Sequence, residues 1–337
     1  MLRPLVRPLV RALTRSPMES RGLRPTLSLD FTNGGVTDSR VTYSGGANGT
    51  RVNSAGLIVA ATTPRFDYNP VTLAPLGLLV EEARTNLLLN SLLNGTNLST
   101  QSVTVAATPY TLSFYGTGTV TLTGVSIAGP AVGTGAYPTR TTLTFTPTVG
   151  VLLLTVTGTV QFAQLEAGSF ATSFIPTAGA TVTRSADSAV MTGTNFSSWF
   201  NASEGTFVVE ATPKSLGYSP LIVVSNDSYT SAIDLSLNGA GMVRYTVNDG
   251  VSADIFSGAA QTAASVKAAF SYATNDFILA ANGALIGSDA SGALPAAMTN
   301  MRIGGRFDGA NANSWIKRIT YFRGKSNAAR LQALSAP

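Results

Sequence analysis

The sequence predicts an all-β protein with two β-sandwich domains in tandem, preceded by an extended basic N-terminal arm. Only 12% of the 337 residues are charged, while Gly, Thr, Ser, Ala and Val are plentiful. This composition is typical of strands joined by tight turns. Short apolar runs recur at a spacing of roughly ten residues, as sandwiches require. Asn282-Gly283 separates two such runs and is a strong hairpin signal.

Composition also excludes several classes of site. The chain contains no Cys and no His. Disulfides, zinc sites built from Cys or His, Ser-His-Asp triads and Cys-His dyads are therefore ruled out. No apolar run reaches the length of about 18 residues that indicates a membrane-spanning helix, so no membrane insertion is predicted.

Residues 1–24 carry the entire net charge of +5, with six Arg against one Glu. Because the rest of the chain is neutral, no nucleic-acid partner is predicted. Pro4 and Pro8 interrupt the repeated Arg-containing unit and favour an extended arm over a helix. We interpret it as a docking arm, since Arg binds carboxylates in bidentate fashion. A solvated basic tail and a transit peptide are the alternatives. The docking residues would be Arg3, Arg7, Arg11, Arg15, Arg21 and Arg24.

Residues 25–92 form a predicted β-rich connector. Residues 27–31 alternate in polarity and indicate a strand, and Gly pairs at 34–35 and 45–46 separate further short strands. Glu81 and Glu82 are expected to be a solvated pair at a strand end. On a strand their side chains point to opposite faces, so they do not predict catalysis.

Residues 93–187 form the predicted first sandwich, with strands at 110–115, 119–122, 141–146 and 151–156 and a linker at 183–187. Residues 188–337 form the second. Its strands are predicted at 206–211, 221–224, 232–237 and 242–247, followed by the 282–283 hairpin and a long strand at 315–322. A short helix capped by Ser326 ends the chain.

Three stretches resemble known families. The order of the "NG" hairpin, the "IGG" strand ending at Gly305, the strand "WIKRITYF" and a short helix resembles a laminin-G-like or concanavalin-A-like jelly roll. "QFAQLEAGSFATSFIPT" at 161–177 resembles the end of a carbohydrate-binding-module-like jelly roll. "PRFDYNP" followed by "GLLVEEARTNLLLNS" resembles a segment of tailed-bacteriophage virion proteins. Both sandwiches are accordingly expected to be jelly rolls.

Catalysis is not predicted. Glycosidases of the concanavalin class carry a compact Glu-x-Asp-x-x-Glu run, which is absent here. Glu204 and Glu210 on one strand would lie roughly 20 Å apart, too far to act on one glycosidic bond. Carboxylates that converge from different strands remain an open alternative.

Candidate ligand-binding and metal-binding residues can be chosen only by residue type, because no motif or spacing marks them. Aromatic side chains that stack on a sugar would be Trp199, Tyr218 and Tyr229, whereas Trp315 is expected in the core. No cofactor is predicted, with calcium as the alternative, bound through Asp249, Asp254 and Asp308. The competing interpretation is that these acidic residues satisfy their own turns.

The resemblances imply a structural component of a phage virion: a spike, fibre or decoration subunit assembled in the cytoplasm of the bacterial host. Its arm would bind capsid, neck or tail proteins, and its C-terminal jelly roll would contact a host surface glycan. The family analogy favours a homotrimer. The alternatives are a glycan-active enzyme or secreted lectin with a concanavalin-like fold, and a pure assembly protein without a ligand.

Overall fold

A computed structural model describes residues 24–215, 217–260 and 265–337, with the backbone alone over 252–260. The regular secondary structure is almost entirely strand, so the all-β prediction is confirmed. The N-terminal strands, in chain order, are β1 (Leu27–Asp30), β2 (Thr42–Ser44), β3 (Thr50–Val52), β4 (Ile58–Ala60), β5 (Phe66–Tyr68), β6 (Pro75–Val80) and β7 (Arg84–Asn86).

The middle of the chain contributes β8 (Gln101–Val105), β9 (Tyr110–Tyr115), β10 (Thr119–Gly124), β11 (Ala131–Val132), β12 (Thr141–Phe145), β13 (Gly150–Thr157), β14 (Gln161–Ala167) and β15 (Val182–Arg184). The C-terminal part contributes β16 (Ser188–Thr192), α1 (Gly193–Ser197), β17 (Glu204–Pro213), β18 (Ser219–Ser225), β19 (Ala232–Leu237), β20 (Met242–Asn248), β21 (Ser252–Ala260), β22 (Val266–Ala273), β23 (Asp276–Ala281), β24 (Ala284–Asp289), β25 (Asn300–Ile303), β26 (Ser314–Phe322) and α2 (Ala328–Ser335).

The middle sandwich packs the four-stranded sheet β11-β10-β13-β8 against the three-stranded sheet β12-β9-β14. Strand β13 shows why it folds this way. Leu152 and Leu154 are completely buried, while the residues between them are exposed. One face of the strand therefore enters the core and the other faces solvent, as period-two patterning requires.

The C-terminal sandwich packs two large sheets against one another. One has the order β24-β23-β22-β17-β26-β6-β5, with β1 also paired to β26, and the other has the order β2-β16-β25-β18-β19-β20-β21. Asn282 and Gly283 adopt positive φ between β23 and β24, which confirms the predicted hairpin. Helix α2 packs Leu331 onto this sandwich, and its cap is Asn327 rather than the predicted Ser326. Neither helix in the described ranges is long and apolar enough to span a bilayer.

Four strands of the segment predicted as a connector, β1, β2, β5 and β6, belong to this C-terminal sandwich, whereas β3 and β4 pair only with each other. Strand β1 pairs with β26 over its full length, β5 and β6 extend the same sheet, and β2 pairs with β16 in the opposite sheet. Such pairing joins residues nearly 300 positions apart (Asp30 with Arg318), and local patterns carry no sign of it. The middle sandwich is therefore an insertion, entered through β7 and left through β15, which pair antiparallel.

A buried ionic cluster holds this insertion to the C-terminal sandwich. Glu81 is fully buried and forms ion pairs with Arg65 at 2.9 Å, with Arg184 at 3.2 Å and with the ammonium of Lys214. Arg65 also donates from Nε to Asp187 at 3.0 Å. The expectation of a solvated Glu81–Glu82 pair is wrong for Glu81, because tertiary packing places three cations around it.

The same cluster reaches the middle of the chain through Ser173. Its backbone N–H and its hydroxyl donate to Glu81 at 2.9 and 2.6 Å. Burial by itself would raise the pKa of Glu81, but the charges of Lys214, Arg184 and Arg65 outweigh it and hold that pKa well below its ordinary value. Glu81 therefore remains ionised in the folded protein.

The first prediction concerns the charge on Glu81. Glu81→Gln leaves three cations without their common anion, so the free energy of unfolding should fall by about 3–5 kcal/mol. Urea denaturation measures this change. Asp227→Asn is the matched control, because its ion pair with Arg302 is exposed and should contribute below about 1 kcal/mol. Equal losses in the two variants would contradict a special role for Glu81.

The second prediction concerns acid stability. A carboxyl whose folded pKa is depressed stabilises the protein fully above its unfolded pKa, near the ordinary value of 4.5. This contribution is lost as pH falls below that value toward the folded pKa. The wild-type free energy of unfolding should therefore decrease below about pH 4.5, and the decrease should be smaller in Glu81→Gln. Parallel pH profiles for the two proteins would show that Glu81 does not titrate this way.

Candidate binding pocket between the two sandwiches

A cavity of about 450 Å³ lies where the middle sandwich meets the C-terminal sandwich. The hairpin β3–β4, strand β5 and residues Lys214 and Trp315 form one side. The end of β9 and the loop at 137–140 form the other. This volume falls in the range of small-molecule sites, which is about 300–1,000 Å³.

Five aromatic side chains line the cavity: Tyr68, Tyr115, Tyr137, Trp315 and Phe174. Phe174 is buried, whereas the other four are half-buried, so part of each of these four remains accessible. The rings of Tyr115 and Tyr137 meet edge to face with centroids 5.2 Å apart. Burial raises the pKa of Tyr137 to about 12, and its protonated hydroxyl donates to the Gly56 carbonyl at 2.7 Å. This bond joins the middle sandwich to the turn of the β3–β4 hairpin.

Two irregularities in strand pairing aim these residues at the cavity. The pairing of β5 with β6 shifts register between Asp67 and Tyr68, so these consecutive residues both line the cavity despite the pleat. The pairing of β17 with β26 skips Lys317. Ile319 and Tyr321, which follow the bulge, face the core, and so does Ile316, which precedes it. Trp315 is adjacent to Ile316 and therefore faces outward.

The expectation that Trp315 lies in the core is therefore wrong, because its side chain is half-buried and lines the cavity. A regular strand would have placed it on the same face as Ile319 and Tyr321. The bulge at Lys317 reverses that parity, and the indole instead donates from Nε1 to Asp67 Oδ2 at 2.8 Å. Alternation alone cannot reveal such a bulge.

Charged side chains complete the walls. Asp67 accepts from the indole of Trp315 and from the backbone N–H of Val52, and burial raises the pKa of Asp67. The Lys214 ammonium lies 5.2 Å from the Trp315 ring centroid. Arg140 donates to the Thr172 carbonyl at 2.6 Å and to Ser113 Oγ at 2.7 Å.

The cavity combines flat apolar surfaces with fixed hydrogen-bonding groups. Tyr and Trp present an apolar ring and a polar tip, and so accept ligands that have both characters. Among the described residues that line the cavity, Asp67 is the one carboxylate. Glycoside hydrolysis by the usual route requires a pair.

Trp199, predicted to contact a glycan, is in the core of the C-terminal sandwich. Only 2% of its surface is exposed. Its ring packs edge-on against Phe196 and Tyr321 at 5.2 and 5.1 Å, and its Nε1 donates to the Asn195 carbonyl. The prediction is wrong because α1 turns this indole inward between the two sheets.

Tyr218 and Tyr229 lie together but outside the cavity. The guanidinium of Arg306 lies 4.9 Å from one ring centroid and 5.1 Å from the other. Tyr218 donates to Asp234 at 3.0 Å, and burial raises the pKa of Asp234 to about 6. These groups satisfy one another, and a role in glycan binding stays a prediction.

Two of the proposed metal residues, Asp249 and Asp308, have partners within the protein. Asp308 pairs with Arg306, and Asp249 accepts from the backbone N–H of Val251 in its own turn. The side chain of Asp254 lies outside the described residues. Within the described residues no group of three or more acidic or other ligating side chains forms. Of the docking residues, Arg24 is exposed, and the others lie outside the described range: Arg3, Arg7, Arg11, Arg15 and Arg21.

Sequence reasoning missed the residues that line the cavity. Tyr68 and Asp67 lie within the quoted "PRFDYNP" segment, which was the one available signal. Tyr115 and Tyr137 belong to the inserted sandwich and Trp315 to the final strand. Only the docking of the insertion on the C-terminal sandwich brings them together.

Comparisons with known proteins give remote structural likenesses. No protein-family model matches the chain, and no curated protein matches it. The CBM40 domain of Ruminococcus gnavus IT-sialidase shares 21% identity over 40% of this chain and 84% of its own, at a TM-score of 0.35. Domain 4 of AbnA, an extracellular arabinanase from Geobacillus stearothermophilus, shares 13% identity over 44% of this chain and 73% of its own, at a TM-score of 0.38. The NanB sialidase of Streptococcus pneumoniae shares 12% identity over 44% of this chain and 27% of its own, at a TM-score of 0.37. TM-scores this low assign neither family nor ligand.

Proposed function

We propose that this protein binds a carbohydrate in the pocket between its two sandwiches. The supporting observation is the wall of four half-buried aromatic side chains beside fixed charged groups. Sugar rings carry apolar C–H faces that pack on aromatic rings, and hydroxyls that exchange hydrogen bonds with charged or amide groups. Tyr and Trp suit this dual character, and the cavity has the volume of a small-ligand site.

Binding without hydrolysis is part of this proposal. Asp67 is engaged by two N–H donors, and the next carboxylate behind the wall, Glu81, is neutralised by its three cations. Neither is placed to protonate a leaving group or attack a sugar, the roles that a glycosidase assigns to its two carboxylates. We therefore interpret the site as a recognition site rather than an active site.

The third prediction tests the aromatic wall. Tyr68→Ala removes a half-buried ring of the cavity, and the affinity for a glycan identified on an array should fall about tenfold or more. Titration calorimetry measures the change. Tyr229→Ala is the matched control, because Tyr229 is exposed and lies outside the cavity. If Tyr229→Ala weakens binding and Tyr68→Ala does not, the site lies on the C-terminal sandwich instead.

A structural role in a phage particle is the second candidate. Two sequence features support it. One is the arm with six Arg within 24 residues, and the other is the pair of consecutive segments, "PRFDYNP" and "GLLVEEARTNLLLNS", that resembles tailed-phage virion proteins. We propose that the arm attaches the protein to other virion proteins, that the subunits are homotrimeric, and that the pocket contacts a glycan of the host surface. Arg in the arm would pair with carboxylates of the partner.

The fourth prediction tests this attachment. Deleting residues 1–24 should abolish incorporation into particles, while the melting temperature and pocket binding of the remainder stay unchanged. Incorporation is measured by quantifying the protein in purified particles, and the homotrimer is tested by light scattering of the isolated protein. Incorporation at the wild-type level would overturn the docking proposal. Loss of incorporation without any glycan binding would instead favour a pure assembly protein.

A further inference from the structure

We infer that the pocket selects an acidic sugar, one that carries a carboxylate. This inference rests on the proposed carbohydrate binding and adds the class of ligand. It follows from which charges on the cavity wall are already compensated. Four charged residues line the cavity: Arg51, Asp67, Arg140 and Lys214.

Two of these charges have partners inside the protein. The Lys214 ammonium is paired with Glu81 behind the wall. Asp67 accepts from the Val52 N–H at 2.6 Å and from the Trp315 indole at 2.8 Å, and no ion pair joins it to either arginine among the described residues. These groups shape the wall but leave the charges of the two arginines uncompensated.

Arg140 is a fixed cation without a carboxylate partner in the described part of the chain. Its two terminal nitrogens donate to Thr172 O and Ser113 Oγ, both neutral acceptors. Its Nε–H has no acceptor among the described residues. The guanidinium also lies 5.9 Å from the Tyr115 ring centroid. Its position is therefore set by the protein, which reduces the entropy lost when an anion binds.

Arg51 provides the second uncompensated cation, from the β3–β4 hairpin. Its hydrogen bond to the Phe66 carbonyl is long, at 3.4 Å, and no carboxylate of the described residues pairs with it. Arg51 and Arg140 thus contribute two positive charges to one cavity, one from the β3–β4 hairpin and one from the middle sandwich. Guanidinium groups bind carboxylates through charge-assisted, often bidentate hydrogen bonds. The apolar walls strengthen such an attraction by lowering the local dielectric.

Matched ligands separate the charge from the sugar ring. Short oligosaccharides of galacturonate, glucuronate and mannuronate are each titrated against their own carboxyl-reduced, neutral form. The acidic form of at least one pair should bind the full-length protein about tenfold more tightly at low salt. This advantage should decrease at high salt, which screens the attraction.

Variants then assign the preference to the arginines. Arg140→Met should abolish the acidic preference, and Arg140→Lys should retain part of it. Arg51→Met is a second variant that removes one long hydrogen bond only, in case Arg140→Met fails to fold. Arg302→Met is the control, because Arg302 pairs with Asp227 outside the cavity, and the preference should persist.

The outcomes distinguish the two proposals. If neutral and acidic forms bind equally, or if only neutral sugars bind, the acidic selection is overturned and carbohydrate binding stands. If the preference survives in both Arg140→Met and Arg51→Met, the assignment to these arginines is overturned. If the wild-type protein binds no acidic or neutral sugar, the proposed function fails and this inference fails with it.

Discussion

The buried carboxylate of Glu81 is the interaction on which the arrangement of this protein depends. It lies directly after β6 of the C-terminal sandwich. It binds Arg184 of β15, Ser173 from the segment between β14 and β15, and Lys214, which directly follows β17. Removing such a group from water is costly, and the cost is offset only when every partner is in place. The cluster therefore selects one placement of the inserted sandwich on the other. Because Lys214 also lies beside Trp315, the same placement shapes the pocket.

The pocket itself depends on irregular strands. The shift between Asp67 and Tyr68 and the bulge at Lys317 each interrupt a regular pleat. Each directs a polar or aromatic side chain away from the face where simple alternation would put it. The hydrogen bond between Trp315 and Asp67 joins the two irregular sites. Together they build a wall with both apolar and polar character, as the proposed recognition of a sugar requires.

Local patterns predicted the secondary structure well and the long-range organisation poorly. The alternation in β13 and the Asn282-Gly283 hairpin were readable because pleat and turn chemistry involve neighbouring residues only. Assigning 25–92 to a connector was wrong because β1 pairs with a strand near the other end of the chain. Trp199 and Trp315 exchanged their expected environments for similar reasons, since a short helix and a single bulge decide which way an indole faces.

By itself the sequence determined the class of the fold, the positions of most strands and the kinds of chemistry that are excluded. These follow from composition and short-range periodicity, which act within a few residues. Only the tertiary structure decided that the middle sandwich is an insertion, that Glu81 is buried among cations, and that Tyr68, Tyr137, Arg140 and Trp315 share one cavity. Those facts depend on contacts between residues far apart in the chain. Such contacts form only when the free energy of burial and ion pairing offsets the entropy lost in closing long loops.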